Sequence, residues 1–100
     1  MHKQIEADIE AHPVILFMKG NKETPLCGFS SRVVDILTDL GVDFETRDVL
    51  EDDDLRSAIK EFSDWPTLPQ LYINGEFIGG CDIVTELHRT GELRELLDLE

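Results

Sequence analysis

The sequence predicts an α/β fold with a four-stranded mixed β-sheet flanked by helices, and three observations carry that prediction. The continuous apolar run Val14-Ile15-Leu16-Phe17-Met18, held between Pro13 and Gly20, is too short for a helix and reads as a central strand buried on both faces. Val33, Val34, Leu37 and Leu40 recur at helical spacing before a second strand-like segment, which makes a right-handed βαβ unit with parallel strands. Asn74-Gly75 between Gln70–Ile73 and Glu76–Gly79 is a strong hairpin signal and makes the last two strands antiparallel.

The remaining elements follow in chain order. Met1 to Ala11 places Ile5 and Ile9 at i, i+4 among polar residues, so it reads as a short amphipathic helix that ends before His12-Pro13. Lys19 to Leu26, with Gly20, Asn21 and Pro25, is a polar loop that delivers the chain to Cys27. The next helix runs from about Ser30 to a C-terminal stop at Gly41, so Cys27 lies at or just before its N-terminus. Val42 to Val49 is the second strand. Glu51-Asp52-Asp53-Asp54 opens a helix whose buried face is Leu55, Ile59 and Phe62, with acids in the first turn suiting the helix dipole. Trp65-Pro66-Thr67-Leu68-Pro69 breaks that pattern. After the hairpin, Gly79-Gly80-Cys81-Asp82 leads into a last helical stretch that buries Ile83, Val84 and Leu87, then Leu93, Leu96 and Leu97 beyond Gly91.

One hundred residues, 41% of them hydrophobic, set the expectation of a single domain over residues 1–100 with a core that needs no disulfide or metal staple. Nine Lys and Arg stand against 22 Asp and Glu, a formal charge of −13, which argues against nucleic acid or an anionic membrane as partner. No apolar run approaches the roughly 20 residues of a membrane span, and the acidic start is unlike a secretory or transit peptide. The expected setting is a bacterial cytoplasm, or an organellar matrix if a presequence was removed.

The two cysteines lie 54 positions apart, a poor disulfide framework; a lone exposed cysteine is better read as a reactive thiol or a metal ligand. In Pro25-Leu26-Cys27-Gly28-Phe29-Ser30, the fourth position of a Cys-x-x-Cys motif is filled by Ser30, whose hydroxyl can bond a sulfur but cannot join it in a disulfide. A helix N-terminus and nearby cations lower a cysteine pKa from its usual ~8.5. Lys19, Lys22 and Arg32 surround Cys27 with a single acid, Glu23, among them, and Arg56 and Lys60 form an i, i+4 pair able to extend the positive patch. Lys19 and Arg56 are the cations assigned to the site; Lys22, Arg32 and Lys60 are read as solubilising charges. Cys81, beside Asp82, is read from its neighbours as a small structural cysteine, and Trp65 and Phe29 as packing residues. Gly79 and Gly80 permit close backbone approach to a ligand, and Asp82 can cap its own helix or accept from a ligand ammonium. His2, His12 and His88 show no metal spacing, which excludes a zinc site.

Cys27-Gly28-Phe29-Ser30 resembles the active-site motif of the monothiol glutaredoxins of the CGFS type. Phe17-Met18-Lys19-Gly20 resembles the lysine segment before that family's active-site loop, with the same seven-residue gap to the cysteine. Trp65-Pro66-Thr67-Leu68-Pro69-Gln70 and Gly79-Gly80-Cys81-Asp82 resemble its Trp-Pro-Thr-x-Pro-Gln block and its glutathione-binding turn. Asn21-Lys22 departs from the small residue and proline usual there, and Asp64 from an Asn.

The resemblance implies a thioredoxin-like fold, a cis peptide before Pro69 and a groove for glutathione. In it Lys19 and Arg56 would meet the glutathione carboxylates, Thr67 and Leu68 the cysteinyl backbone, and Cys81 and Asp82 the γ-glutamyl end; Phe29, Pro69 and Gly80 complete the implied binding set. A strand-like edge suits such pairing, because the N–H and C=O before a cis proline are left unpaired. The implied function is a carrier of a glutathione-ligated 2Fe-2S cluster in iron-sulfur protein maturation and iron homeostasis. Its cluster would be held by Cys27 of each protomer of a homodimer and by two glutathione thiols, with BolA-like proteins and apo iron-sulfur acceptors as further partners. Two other functions compete. A glutathione-dependent thiol-disulfide oxidoreductase would use Cys27 as nucleophile and free glutathione as resolving thiol. A purely structural domain would use neither.

Overall fold

The computed structural model describes residues 1–99; Glu100, the last residue of the expected domain, lies outside the described residues. The chain folds as α1 (His2–Ala11), β1 (Val14–Met18), α2 (Gly28–Asp39), β2 (Glu45–Asp48), α3 (Asp53–Ser63), β3 (Gln70–Ile73), β4 (Glu76–Gly79), α4 (Cys81–Thr90) and α5 (Glu92–Leu96). The strands form one mixed sheet in the order β2-β1-β3-β4. β1 pairs parallel with β2 and antiparallel with β3, and β3 pairs antiparallel with β4. The apolar run is thus an interior strand, as its continuity predicts.

Alternation along β1 sends its side chains to two separate cores. Leu16 and Met18 join Val33, Val34 and Leu37 of α2, Val84 of α4 and Leu93 of α5 on one face. Ile15 and Phe17 join Ile5 and Ile9 of α1, Ala58 and Ile59 of α3, and Tyr72 of β3 on the other. Each fully buried side chain of this size contributes about 1.5–3 kcal/mol. The α1 stripe is also held by charge: the Arg47 guanidinium of β2 donates two hydrogen bonds to Asp8, at 3.1 and 3.2 Å.

Four boundaries differ from the sequence expectation. The second strand covers Glu45–Asp48 rather than Val42–Val49. Among the described residues it has β1 as its sole strand partner, the ladder spans only Ile15 to Met18, and Phe44 is drawn into the core beneath α2. Helix α2 begins at Gly28, two residues before Ser30, with Cys27 itself as the extended N-cap. Helix α3 begins at Asp53, so Glu51 lies outside it and Asp52 caps it, accepting from the backbone N–H groups of Asp54 and Leu55. The last helical stretch is two helices, divided at Gly91, whose φ of 87° is left-handed.

Candidate functional site

Cys27 sits where the extended loop becomes helix α2, and its half-exposed thiol is free. Its pKa is lowered from the ordinary thiol value. The largest cause is the backbone N–H of Ser30 donating to the sulfur; the Phe29 N–H, the positive charge of Lys19 and the Ser30 hydroxyl add to it, and partial desolvation opposes them. Ser30 is fully buried and its Oγ also accepts from the backbone N–H of Lys19 at 3.2 Å. The serine in the fourth motif position therefore joins the lysine's backbone to the sulfur.

The loop before Cys27 is closed by its own hydrogen bonds. Leu26 N–H donates to the Lys19 carbonyl at 3.0 Å, Gly20 N–H to Asp48 Oδ1 at 2.9 Å, and Asn21 Oδ1 accepts from the N–H groups of Glu23 and Thr24. Gly20 has φ 88°, and a Cβ there would meet the Thr24 carbonyl and stand 2.7 Å from the Leu26 nitrogen, so the position requires glycine. Lys22 is engaged elsewhere: its Nζ donates to the Phe44 carbonyl at 2.7 Å and lies 5.2 Å from the centre of the Phe44 ring. It is a tether between loop and core, neither part of a cationic patch nor a loose solubilising charge.

A groove of about 450 Å³ brings together every residue the sequence assigned to the site. Lys19, Cys27 and Phe29 line it from the loop and the start of α2, and Arg56 from α3. Thr67, Leu68 and Pro69 come from the β3 approach, and Gly80, Cys81 and Asp82 from the start of α4. The Leu68-Pro69 peptide is cis. Leu68 buries its side chain in the α1/α3 core, while its N–H and C=O have no hydrogen-bond partner among the described residues. The Thr67 carbonyl, by contrast, is taken by the Gln70 side-chain amide at 3.2 Å.

Lys60 also lines the groove, so its reading as a solubilising charge is corrected: one helical turn beyond Arg56, it shares that residue's face of α3. Trp65, read as packing alone, has two roles. Its ring packs on Phe77 at 5.9 Å, and its buried Nε1–H, without a partner among the described residues, stands 3.5 Å from where a Cβ on Gly80 would lie. Asp82 does not cap its helix, because Gly80 occupies the N-cap position and no side chain bonds there. Its exposed carboxylate is left to the groove.

A second depression, of about 490 Å³, adjoins Cys27 between the starts of α2 and α4 and includes Phe29, Arg32, Cys81 and Thr85. Arg32 thus stands near the thiol, outside the groove proper. Cys81 lines both concavities, with its Sγ 4.0 Å from Thr85 Oγ1. Leu26 and Phe29 project beside Cys27 at 62% and 63% exposure, an apolar rim around the thiol. Among the described residues no group of three or more His, Cys, Asp or Glu side chains is placed to hold a metal ion. The geometry offers one activated thiol, three cations and an unpaired backbone edge in one concavity. That set can bind an extended, carboxylate-bearing thiol compound and exchange with its sulfur.

The glutaredoxin family model matches residues 14–78. The chain is 59% identical over 95 residues to a probable monothiol glutaredoxin 2 of Rickettsia typhi, covering 95% of this chain and 86% of that protein. In the longer monothiol glutaredoxin-S11 of Oryza sativa subsp. japonica, 52% identical, the match takes in 96% of this chain but 20% of that protein. Among solved structures, reduced poplar apo GrxS14 is similar with a TM-score of 0.86 and 50% identity, covering 96% of this chain and 88% of that one. The buckwheat glutaredoxin-glutathione complex is similar with a TM-score of 0.87 and 29% identity, covering 97% and 86%. With its lone Cys27 in a Cys-Gly-Phe-Ser motif on a thioredoxin-like fold, the chain belongs to the glutaredoxin family as a monothiol glutaredoxin.

Proposed function

We propose that this chain binds glutathione in the Lys19–Asp82 groove and carries a 2Fe-2S cluster ligated jointly by Cys27 and glutathione, for delivery to apo iron-sulfur proteins. The observation that supports this best is the donor set: one half-exposed thiol of lowered pKa in a cationic groove, with no cluster of metal-binding side chains beside it among the described residues. A 2Fe-2S cluster takes four ligands, usually thiolates. One protomer supplies one, so two protomers and two glutathiones complete the set, and the homodimer follows from that stoichiometry. A BolA-like protein is the alternative partner at the same face, where Leu26 and Phe29 are exposed.

Glutathione suits the groove chemically. Its carboxylates match Lys19, Arg56 and Lys60, its peptide backbone matches the unpartnered N–H and C=O of Leu68, and its ammonium matches the Asp82 carboxylate. The buckwheat relative forms a glutathione complex on the same fold.

The lowered thiol pKa also favours a second activity, exchange with glutathione mixed disulfides. There the Cys27 thiolate attacks the glutathione sulfur, the protein substrate leaves as thiolate, and a second glutathione displaces Cys27 as glutathione disulfide.

Anaerobic reconstitution with iron, sulfide and glutathione separates the two. The expected product is a brown dimer with about two irons per dimer, lost in Cys27→Ser and retained in Cys81→Ser. A colourless monomer that reduces glutathione mixed disulfides efficiently would replace the carrier with the enzyme.

A further inference from the structure

We infer that Gln70 is the positioning residue of the Thr67-Leu68-Pro69 edge and that Tyr72 anchors it, an inference resting on the reading that glutathione pairs with that edge. Gln70 and Ser30 are the two polar residues buried among the described ones, and Gln70 is wholly inaccessible. A carboxamide in such a place is costly unless its groups are satisfied. In β3 it pairs with Phe17 across the β1 ladder and shares a sheet face with Tyr72, two residues on.

Its side-chain nitrogen donates to the carbonyls of Trp65 at 3.1 Å and Thr67 at 3.2 Å. The reversed amide would set an oxygen against two carbonyl oxygens, so these partners fix its orientation. Its oxygen then accepts from the Tyr72 hydroxyl, at 3.4 Å the longest of the three. Tyr72 is itself wedged among Phe17, Phe62 and Phe77, with ring centres 5.7, 6.2 and 5.4 Å away.

The segment from Trp65 to Thr67 belongs to neither helix nor strand, and one buried side chain secures two of its carbonyls. The Leu68 N–H and C=O, with the Thr67 N–H and the Pro66 carbonyl beside them, are then the groups of this wall without a partner among the described residues. Without the amide, the Trp65 and Thr67 carbonyls lose this buried donor, and the edge is held by the remaining Trp65 N–H bonds to Lys60 and Ser63 and by Leu68 packing, a looser geometry toward the ligand. The aromatic core thereby sets the geometry of the binding edge through a single amide.

The test compares Gln70→Met, which keeps the chain length and deletes both polar groups, with Tyr72→Phe, which deletes one hydroxyl. The first measurement is the equilibrium Cys27–S⁻ + GSSG ⇌ Cys27–S–SG + GS⁻, with glutathione and its disulfide as probes. The second is the pH midpoint of Cys27 alkylation, which depends on the α2 terminus and would not move with the edge. Gln70→Met is expected to lower the exchange constant about tenfold and Tyr72→Phe about twofold, the losses of buried hydrogen bonds, with the alkylation midpoint unchanged in both.

An unchanged constant in folded Gln70→Met overturns the inference, and so does an alkylation midpoint that shifts with the constant, which would mean general loosening. Should Gln70→Met fail to fold, Tyr72→Phe decides on the same criteria. The Leu68 amide resonance of the unmutated protein keeps the two readings apart. If it stays put when the mixed disulfide forms, the groove assignment fails and this inference with it; if it moves while Gln70→Met exchanges normally, only the inference falls.

Discussion

Cys27 is activated mainly by backbone, with side-chain charge in a secondary place. The Ser30 N–H is the largest influence lowering its pKa, followed among the favourable ones by the Phe29 N–H, Lys19 and the Ser30 hydroxyl. Those two N–H groups belong to the first turn of α2, where no helical carbonyl precedes them, so any residue at position 27 would receive them. Alkylation of the free protein is therefore expected to show a midpoint below that of an ordinary cysteine, about 8.5. Lys19→Gln and Ser30→Ala should each raise that midpoint while leaving it short of the ordinary thiol value, measured as iodoacetamide rate against pH. A Lys19→Gln protein with an ordinary thiol midpoint would show that charge, and not the helix terminus, activates the sulfur. A thiolate held by fixed amides needs no partner cysteine, and Ser30 occupies that place as a donor.

Helix α3 brings Arg56 and Lys60 to the groove while Ala58 and Ile59 face the α1 core, so its position decides where two of the three groove cations stand. Its start depends on the Asp52 carboxylate, which accepts from Asp54 N–H at 3.0 Å and Leu55 N–H at 3.1 Å. Asp52→Ala is expected to cost about 1 kcal/mol, read as a lower urea midpoint with unchanged slope, and Asp52→Asn to restore most of it. The helix pattern and its acidic opening were legible in the sequence because amphipathic period and capping chemistry are local. The Arg56/Lys60 pair was visible as a spacing too, but which face of α3 borders the groove depends on packing against α1, and so Lys60 was undervalued. Lys22 was misread for the same reason. Its partner, the Phe44 carbonyl, lies 22 positions away, at a strand end that local pattern overextended. Nine of the ten assigned site residues lie in short motifs, which is why a local reading could group them, and Arg56 stands outside them; Trp65 and Gln70 share one of those motifs, but the partners of the Gln70 amide and the lack of one for the Trp65 N–H among the described residues depend on the fold.

Charge is segregated over the whole molecule. The formal charge is −13, yet Lys19, Arg56 and Lys60 converge on one groove in which Asp82 is the single acidic lining residue. The radius of gyration is 12.4 Å, so most charges see one another at low salt, where the screening length is about 30 Å, and far fewer do at physiological salt, where it is about 8 Å. The excess acids repel across the surface and oppose the compact state. Screening should therefore stabilise the fold, by on the order of 1 kcal/mol between about 0.01 and 0.15 M NaCl. On the proposed binding of glutathione the groove is expected to respond with the opposite sign, because its cations would attract the ligand's carboxylates and screening would weaken that attraction. Paired measurements on one sample, urea unfolding and glutathione titration at both salt concentrations, are expected to show stability rising while glutathione affinity falls. Affinity that is flat or rises with salt would mean that the three cations are neutralised within the protein and that backbone pairing at Leu68, not charge, holds the ligand.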